Sequence, residues 1–170
     1  PEVVEEEIDG TPVPTQVALP VTINGRIFSR EDVDCWTFEA QQGKGYTCEV
    51  MATRLGSPLD SHLELRDPDG QRLAENTDAI GSDSRISFIA PKTGVYQLRI
   101  HDVQFAGLQQ YVYRLTITDG AYVERVFPLG WIRGEKLQLE LAGQNLGAGK
   151  ATVTVPAAAD PIWLTRLEVD

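Results

Sequence analysis

Residues 63–70, Leu63-Glu64-Leu65-Arg66-Asp67-Pro68-Asp69-Gly70, alternate apolar and polar side chains and then end in a turn signal. The same alternation returns at residues 94–100, Gly94-Val95-Tyr96-Gln97-Leu98-Arg99-Ile100. A period of two places successive side chains on opposite faces of a strand, and Asp, Pro and Gly favour tight turns. The stretch 57–117 therefore predicts short antiparallel strands joined by turns, with no helix.

Strands of this kind follow one another at short spacing along the first two thirds of the chain. We predict strands at residues 21–28, 33–39, 46–53, 62–67, 85–90, 95–101 and 111–117, with a shorter one at 71–75. Seven or eight such strands are typical of a sandwich with jelly-roll or related topology. The predicted fold class is all-β, an antiparallel β-sandwich that is jelly-roll-like, followed by a short Ig-like β segment.

Side-chain parity assigns the two faces of these strands. The expected core consists of Trp36, Phe38, Tyr46, Cys48, Val50, Tyr96, Leu98, Ile100, Tyr111, Tyr113, Leu115 and Ile117. The residues expected to face outward are Gln97, Arg99, His101, Val112 and Arg114. Cys35 and Cys48 fall on consecutive predicted strands but on opposite parities, so a disulfide between them stays an open question.

The character of the sequence changes on either side of the predicted sandwich. Residues 1–20 are acidic and contain several prolines, which predicts a linker or an irregular lead-in. After residue 118, four more strands are predicted at 122–127, 137–141, 151–155 and 162–169. About 50 residues is short for an independent sandwich. We expect three parts, 1–20, 21–118 and 119–170, the last either incomplete or supported by the second.

Composition excludes several functions. The net charge is −10, whereas a nucleic-acid-binding face needs clustered Lys and Arg. No apolar run approaches the roughly 20 residues that span a bilayer, so we expect no membrane insertion. The acidity fits either a solvated surface or a calcium-rich extracellular setting. The chain starts at Pro1 without an initiator methionine, so we expect a fragment of a longer protein.

The first part resembles the bacterial pre-peptidase C-terminal domain family over about residues 5–117. The motifs that carry this likeness are Asn24-Gly25-Arg26-Ile27, Glu31-Asp32-Val33-Asp34-Cys35-Trp36-Thr37-Phe38, residues 63–70, Arg85-Ile86-Ser87-Phe88-Ile89-Ala90-Pro91 and Gly94-Val95-Tyr96. The Ser57-Pro58-Leu59-Asp60 variant is similar to copies in large planctomycete secreted or surface proteins. The resemblance implies a non-catalytic module, with polymer binding in some members and calcium binding in others.

The tail resembles the start of an Ig-like IPT/TIG module. Three motifs carry this likeness, Phe127-Pro128-Leu129-Gly130, Arg133-Gly134-Glu135 and Leu141-Ala142-Gly143-Gln144-Asn145-Leu146. They cover only the final third of the chain.

Calcium is the specific chemistry that the family resemblance suggests. In calcium-binding relatives an acidic lead-in folds back onto carboxylates before the Trp strand, and Ca²⁺ takes six to eight oxygen ligands. The candidate calcium ligands here are Glu5, Glu7, Asp9, Asp32 and Asp34, with the carbonyl of Gly25. The sequence departs from the family's Glu-x-Glu-Pro-Asn-Asp pattern because Ile8, Asp9 and Gly10 follow Glu7, so one carboxylate is missing. The alternative is a solvated acidic linker and an Asp34 that caps a turn. A second acidic group, Asp67, Asp69, Asn76, Asp78 and Asp83, is interpreted as turn chemistry.

No catalytic centre is predicted. The only histidines are His62, interpreted as a strand start, and His101, interpreted as an exposed strand end. Asp60-Ser61-His62 is too local for a triad, because adjacent side chains of a strand diverge. Zinc needs about four Cys and His ligands at workable spacing, and two of each, scattered, are too few.

Exposed aromatic side chains are the best candidates for contact with a ligand. Phe105, in the loop 102–110, and Trp131, in the turn at Gly130, can stack on sugars or grip a peptide. The alternative is that both cap the interface between the two parts. We therefore expect a non-catalytic accessory module of a secreted or cell-surface bacterial protein that aids adhesion or contact with a polysaccharide or an extracellular protein. The alternative function is a structural spacer, calcium-stabilised, that positions neighbouring domains of a peptidase-type parent.

Overall fold

The computed structural model describes residues 13–157 and the backbone of residues 2–4. The chain divides into two compact units, Pro1–Asp119 and Gly120–Asp170. The strands of the first unit are β1 (Glu2–Val4), β2 (Thr15–Gln16), β3 (Val21–Arg26), β4 (Asp34–Ala40), β5 (Gly45–Met51), β6 (Ser61–Arg66), β7 (Arg72–Asn76), β8 (Arg85–Ile89), β9 (Gly94–Asp102) and β10 (Val112–Thr118). Those of the second are β11 (Tyr122–Phe127), β12 (Lys136–Gln144) and β13 (Lys150–Thr154).

The first unit is a sandwich of two five-stranded sheets. One sheet has the order β1-β3-β10-β5-β8 and the other β2-β4-β9-β6-β7. The short strands β1 and β2 pair in parallel with β3 and β4, and all other pairings are antiparallel. The all-β prediction is confirmed. Within the described residues, no helix is long and apolar enough to cross a membrane.

The core lies between the two sheets and follows the predicted parity. Its largest fully buried side chains are Tyr46, Tyr96, Phe38, Ile23, Ile27, Leu59, Leu63, Leu65, Leu98, Ile100, Leu115 and Ile117. Burying an aliphatic or aromatic side chain of this size stabilises the fold by roughly 1.5–3 kcal/mol. Among the predicted core residues, Tyr111 alone is only half-buried, at the loop end that precedes β10.

A hydrogen-bonded chain crosses the core between the sheets. The Nε1–H of Trp36 donates to the hydroxyl of Tyr113 over 3.1 Å, and that hydroxyl donates to Oδ2 of Asp34 over 2.6 Å. All three residues are buried. Because a buried polar group without a partner is costly, the chain lets one indole, one phenol and one carboxylate lie inside an apolar core.

The predicted strand 46–53 ends early, at Met51, because a buried carboxylate turns the chain. A single 3-10 turn, Thr53–Leu55, follows. Asp83 is fully buried, and its Oδ1 accepts hydrogen bonds from the backbone N–H of Ala52 and Thr53 over 2.9 and 2.8 Å. Its Oδ2 accepts from Nε of Arg54 over 2.6 Å. Burial acts to raise the pKa of Asp83, but these donors outweigh it and hold the pKa below its ordinary value.

The two cysteines are free thiols in different sheets. Cys35 lies in β4 and Cys48 in β5, and these consecutive strands belong to opposite sheets rather than to one hairpin. Cys48 is completely buried, which raises the pKa of its thiol to about 12. The disulfide that the sequence left open is not formed, and alternation along two strands does not reveal whether they pair.

The lead-in is more ordered than the sequence indicates. The two short strands β1 and β2 both fall within residues 1–20, where no strand was predicted. In β2, Thr15 is opposite Trp36 and Gln16 opposite Thr37, and the N–H of Val17 donates to the carbonyl of Thr37. Parallel pairing of two or three residues carries almost no alternation signal, so the sequence could not indicate it.

The second unit contains an antiparallel sheet in the order β11-β12-β13. Its buried residues are Leu137, Leu139, Leu141, Leu146 and Ala151, with Val126, Val153 and Val155 packed against them. Alternate residues of β12 enter this small core. The predicted strand at 162–169, with Trp163, lies outside the described residues. The likeness of 119–170 to an IPT/TIG module stays a prediction.

Candidate functional site

The loop between β9 and β10 presents one aromatic side chain to solvent. Phe105 is 46% exposed and has a φ of 54°, in the left-handed region that bulky residues rarely adopt. Its ring lies parallel to the imidazole of His101, with 4.4 Å between the ring centroids and 7° between the planes. One face of the phenyl ring therefore packs against the imidazole of His101. Phe105 is where the sequence placed a candidate ligand contact.

The carboxylate of Asp102 fixes the turn that holds Phe105. It is 4% exposed, and its Oδ1 accepts hydrogen bonds from the backbone N–H of Gln104 and Ala106 over 2.9 and 3.0 Å. Its Oδ2 accepts from the N–H of Asp60 over 3.1 Å, which ties the turn to the start of β6. The carbonyl of Asp102 accepts from the N–H of Phe105 over 2.9 Å. One buried residue thus determines the path of the loop.

A second loop locks the same turn from the other side. The N–H of Glu31 donates to the carbonyl of Phe105 over 3.0 Å. A Cβ on Gly107 would lie 2.1 Å from the carbonyl oxygen of Ser29, so only glycine fits at this contact. The position of Phe105 is therefore set by backbone contacts from two loops.

A pair of histidines lies beneath Phe105 on the outer face of the sheet. His62 of β6 and His101 of β9 are opposite each other in the strand register, and 2.7 Å separates Nδ1 of His62 from Nε2 of His101. Nε2 of His62 lies 3.5 Å from Oε2 of Glu75 in β7. The interpretation of His101 as an exposed strand end was wrong, because Phe105 and His62 cover its ring and leave it half-buried. Burial is the main cause that lowers the pKa of His101 below its ordinary value.

The rest of this outer face carries paired charges. Oε1 of Glu64 accepts a hydrogen bond from Nε of Arg66 over 2.6 Å, and the guanidinium of Arg99 lies 3.8 Å away. Arg72 bridges Glu75 over 2.6 Å. Burial acts to raise the pKa of Glu64, but the three arginines outweigh it and hold the pKa below its ordinary value. This outer face is therefore a polar surface, and the exposed ring of Phe105 lies beside it. Such a combination of polar groups and one aromatic ring suits the binding of a ligand.

The described calcium candidates already have roles in the fold. Oδ2 of Asp32 accepts a hydrogen bond from the N–H of Phe28 over 2.8 Å, and Asp34 is the buried end of the chain through Tyr113. Gly25 lies within β3, opposite Tyr113. Among the residues that the structure describes, no group of three His, Cys, Asp or Glu side chains could hold a metal ion. Asp32 and Asp34 therefore need further ligands from elsewhere.

The other half of the calcium set cannot be placed. Glu5, Glu7 and Asp9 lie outside the described residues. Calcium at this position stays a prediction.

The second acidic group has a structural role, as predicted. Oδ1 of Asp67 accepts hydrogen bonds from the N–H of Asp69 and of Gln71, both over 2.9 Å, in the turn between β6 and β7. Lys92 pairs with both Asp67 and Asp69. Asp83 holds the 3-10 turn. The carboxylates of Asp67 and Asp83 therefore stabilise turns by accepting hydrogen bonds from backbone N–H groups.

Trp131, the second aromatic candidate, belongs to the second unit. It is 51% exposed, in a segment where Phe127, Leu129 and Ile132 are exposed as well. Within its own unit it is an accessible apolar side chain, which fits a contact residue.

A groove of about 770 Å³ is a separate concave feature of the first unit. Residues 16–19, 39–41 and 93–95 line much of it, together with Lys44, Tyr46 and Asp119. Its polar groups bond to one another, because Lys44 pairs with Asp119 over 2.5 Å and the hydroxyl of Tyr46 accepts from the N–H of Gln41 over 2.9 Å. The groove therefore offers a ligand less than the Phe105 surface does.

The sequence also matches a known family model. Residues 32–102, from the loop before β4 to the end of β9, match the bacterial pre-peptidase C-terminal domain. The first unit contains a pre-peptidase C-terminal domain. This domain is a non-catalytic module, and the family prediction made from the motifs is confirmed at that level. Planctomycete origin is not shown.

Two relatives place the domain in context. A probable subtilase-type serine protease of Deinococcus radiodurans is 44% identical over 70 residues, which are 41% of this chain and 10% of that protease. The pre-peptidase C-terminal domain of a Bacillus anthracis collagenase is similar in structure, with a TM-score of 0.53 and 19% identity over 65% of this chain and all of that domain. The second likeness shows the β-sandwich fold. The chain spans only a small part of the matched protease.

Proposed function

We propose that this chain is a non-catalytic accessory module of a secreted or cell-surface bacterial protein, and that it contacts a polysaccharide or an extracellular protein through Phe105. The parent is a multidomain, peptidase-type protein whose other domains are the module's neighbours. The observation that carries the proposal is a half-exposed phenylalanine held in a left-handed backbone conformation.

The energetics of Phe105 support a role outside the fold. A left-handed conformation costs a residue with a Cβ roughly 1–2 kcal/mol, whereas Gly or Asn adopts it readily. About half of the Phe105 side chain stays in contact with water, so the free energy gained by burying it offsets little of the conformational cost. Residues held in sparsely populated backbone regions cluster at active sites and ligand-binding segments.

The chemistry of the surface supports a polymer as the ligand. An exposed phenyl face binds the apolar face of a sugar ring or a proline ring. Val103 and Leu108 in the same loop are also exposed and widen the apolar contact. The paired arginines and glutamates on the adjoining sheet face offer hydrogen bonds to hydroxyl or peptide groups. We propose Trp131 as a second, separate contact on the second unit.

We also keep calcium as a proposed structural ion, supplied with ligands by Glu5, Glu7, Asp9, Asp32, Asp34 and the Gly25 carbonyl. Asp32 supports this, since its half-exposed carboxylate lies in a loop beside the start of β4. A bound Ca²⁺ would stabilise the lead-in against the sandwich and would take no part in chemistry.

The experiment is a co-sedimentation screen of the whole chain against insoluble polysaccharides (cellulose, chitin, xylan) and insoluble collagen. Depletion of the protein from the supernatant, saturating with protein concentration, on at least one polymer is the expected result. No depletion on any of them would leave the structural spacer as the better account.

A further inference from the structure

The hydrogen bonds of the two histidines fix where their protons lie. Nδ1 of His101 is 2.8 Å from the carbonyl oxygen of Asp102, and a carbonyl only accepts, so Nδ1 carries a proton. Nε2 of a neutral His101 is then an acceptor. Nδ1 of His62, 2.7 Å away, must be the donor to it. One proton therefore lies between the two rings.

A first and a second further proton have different consequences for the pair. The first leaves one proton between the rings, because Nε2 of His62, which faces Glu75, carries a proton whichever ring holds the charge. The second makes both rings imidazolium, so that Nδ1 of His62 and Nε2 of His101 each carry a proton. Two donors cannot hydrogen-bond to each other, so protonation of both histidines breaks the bond between the rings.

Other ionisable groups surround His101 on each neighbouring element. On β9 they are Arg99 and Asp102, whose carboxylate is occupied by the turn. On β6 they are His62 and Glu64, with Asp60 just before the strand. Glu75 of β7 acts through His62. On the β4 side, Asp34 lies opposite Ile100 and bonds to Tyr113 in the core. Burial, then the charges of His62 and Arg99, lower the pKa of His101, while Glu64 and the Asp102 carbonyl oppose them.

The ring of His101 and the backbone of Phe105 share one acceptor. The carbonyl of Asp102 receives both the Nδ1–H of His101 and the N–H of Phe105. The two rings are also stacked in parallel. A displacement of His101 therefore removes the support of the phenyl ring and disturbs the turn in which Phe105 is strained.

We propose that the His62–His101 pair is a proton-controlled clamp on Phe105, closed when one proton lies between the rings and opened when both rings are imidazolium. An imidazolium also stacks well on a phenyl ring, so opening comes from the lost hydrogen bond and from repulsion by His62. As a regulation of ligand binding the clamp rests on the proposed function, and it predicts that the polymer is released in mildly acidic medium.

The test is an NMR titration of the whole chain between pH 4.5 and 8 without any ligand. The imidazole C–H signals of both histidines and the backbone amide signals of Gln104, Phe105 and Ala106 are followed. The signals of His101 and of the three amides are expected to move together, with a common midpoint below pH 6.5, the ordinary value for histidine. Amides that stay constant while His101 titrates would overturn the proposal.

Two variants separate the clamp from its surroundings. In His101→Gln the ring position keeps an acceptor for His62 but does not titrate, so the pH response of the Phe105 amide is expected to disappear. In His62→Gln the side-chain amide still donates to His101, and the midpoint is expected to rise because the repulsion by His62 is lost. A Phe105 response that persists unchanged in His101→Gln would overturn the clamp. Because no polymer is present, this failure is distinct from a failure of binding.

Discussion

The ring of Phe105 lies flat on the imidazole of His101, with 4.4 Å between the centroids and 7° between the planes. Parallel stacking at this distance orients the outer face of the phenyl ring toward solvent. The two residues are joined again through the carbonyl of Asp102, which binds the N–H of one and the Nδ1–H of the other. The contact explains how a loop residue keeps a defined position without being buried.

Replacing Phe105 by Asn is expected to leave the free energy of unfolding within about 1 kcal/mol of the wild type. Asn relieves roughly 1–2 kcal/mol of left-handed strain, while the lost ring stacking is worth about 0.5–1.5 kcal/mol. Urea unfolding measures the change. The matched control is Phe38→Ala in the core, which is expected to lose about 3–5 kcal/mol. A loss of that size in Phe105→Asn would show that the residue is retained for stability.

The buried hydrogen-bonded chain predicts that Tyr113→Phe destabilises the fold by about 1–3 kcal/mol. The substitution removes the hydroxyl that accepts from the indole N–H of Trp36 and donates to the carboxylate of Asp34. The control is Tyr111→Phe, because Tyr111 is only half-buried and outside this chain. Chemical unfolding of the two variants gives the comparison. Equal stabilities would contradict the structural importance of the chain.

Asp83→Asn is expected to cost about 2–4 kcal/mol at neutral pH. The carboxylate is fully buried and accepts hydrogen bonds from Ala52, Thr53 and Arg54. The amide of Asn cannot replace its negative charge. The exposed Asp78→Asn is the control and is expected to change the free energy of unfolding by less than about 0.5 kcal/mol.

Low pH should remove the contribution of Asp83 to the free energy of unfolding. Since its pKa in the folded protein lies below 3.8, the ordinary value, its contribution is complete above that pH and is lost as the pH falls through the folded value. The difference between wild type and Asp83→Asn should therefore shrink below about pH 3.8. A difference that stays constant down to pH 2 would contradict the account of this cap.

Thermal unfolding in CaCl₂ and in EDTA tests the calcium candidates. A site with a dissociation constant of about 10 µM would add roughly 2.7 kcal/mol at 1 mM Ca²⁺, which raises the melting temperature by several degrees. The increase should be lost in Asp32→Asn, which leaves the buried chain at Asp34 intact. The control is Asp78→Asn, which should keep it. Equal melting temperatures in CaCl₂ and EDTA would remove calcium from the account.

Much of the sandwich could be predicted because its strands alternate cleanly. Strand β9 alternates Tyr96, Leu98 and Ile100 with Gln97 and Arg99, and a slip by one residue would expose the whole core face. The turn at Asp67 was equally readable, since Asp and Gly suit its backbone angles. Such local signals do not state which strands are neighbours, which is why the sequence left a disulfide between Cys35 and Cys48 open.

The histidine pair shows the same limit at the site. His62 and His101 were each interpreted alone, as a strand start and an exposed strand end. Their contact depends on the pairing of β6 with β9. These strands are distant in sequence, since β6 ends at Arg66 and β9 begins only at Gly94. Phe105 could be chosen as an exposed aromatic residue in a loop. The left-handed backbone conformation of Phe105 could not be predicted, because it arises from contacts of Asp102 and Gly107 with segments that are distant in sequence.

The central claim is that Phe105 contacts the ligand, and a binding isotherm of Phe105→Ala tests it most directly. The polymer is the one that retains the wild-type chain in the co-sedimentation screen. The control is Ile89→Ala, which removes a more exposed apolar side chain from β8 in the other sheet. Phe105→Ala should weaken binding about five- to tenfold at pH 7.5, because burying the exposed half of a Phe side chain against a ligand is worth roughly 1–1.5 kcal/mol. Ile89→Ala should bind like the wild type. Unchanged binding by Phe105→Ala would contradict the account.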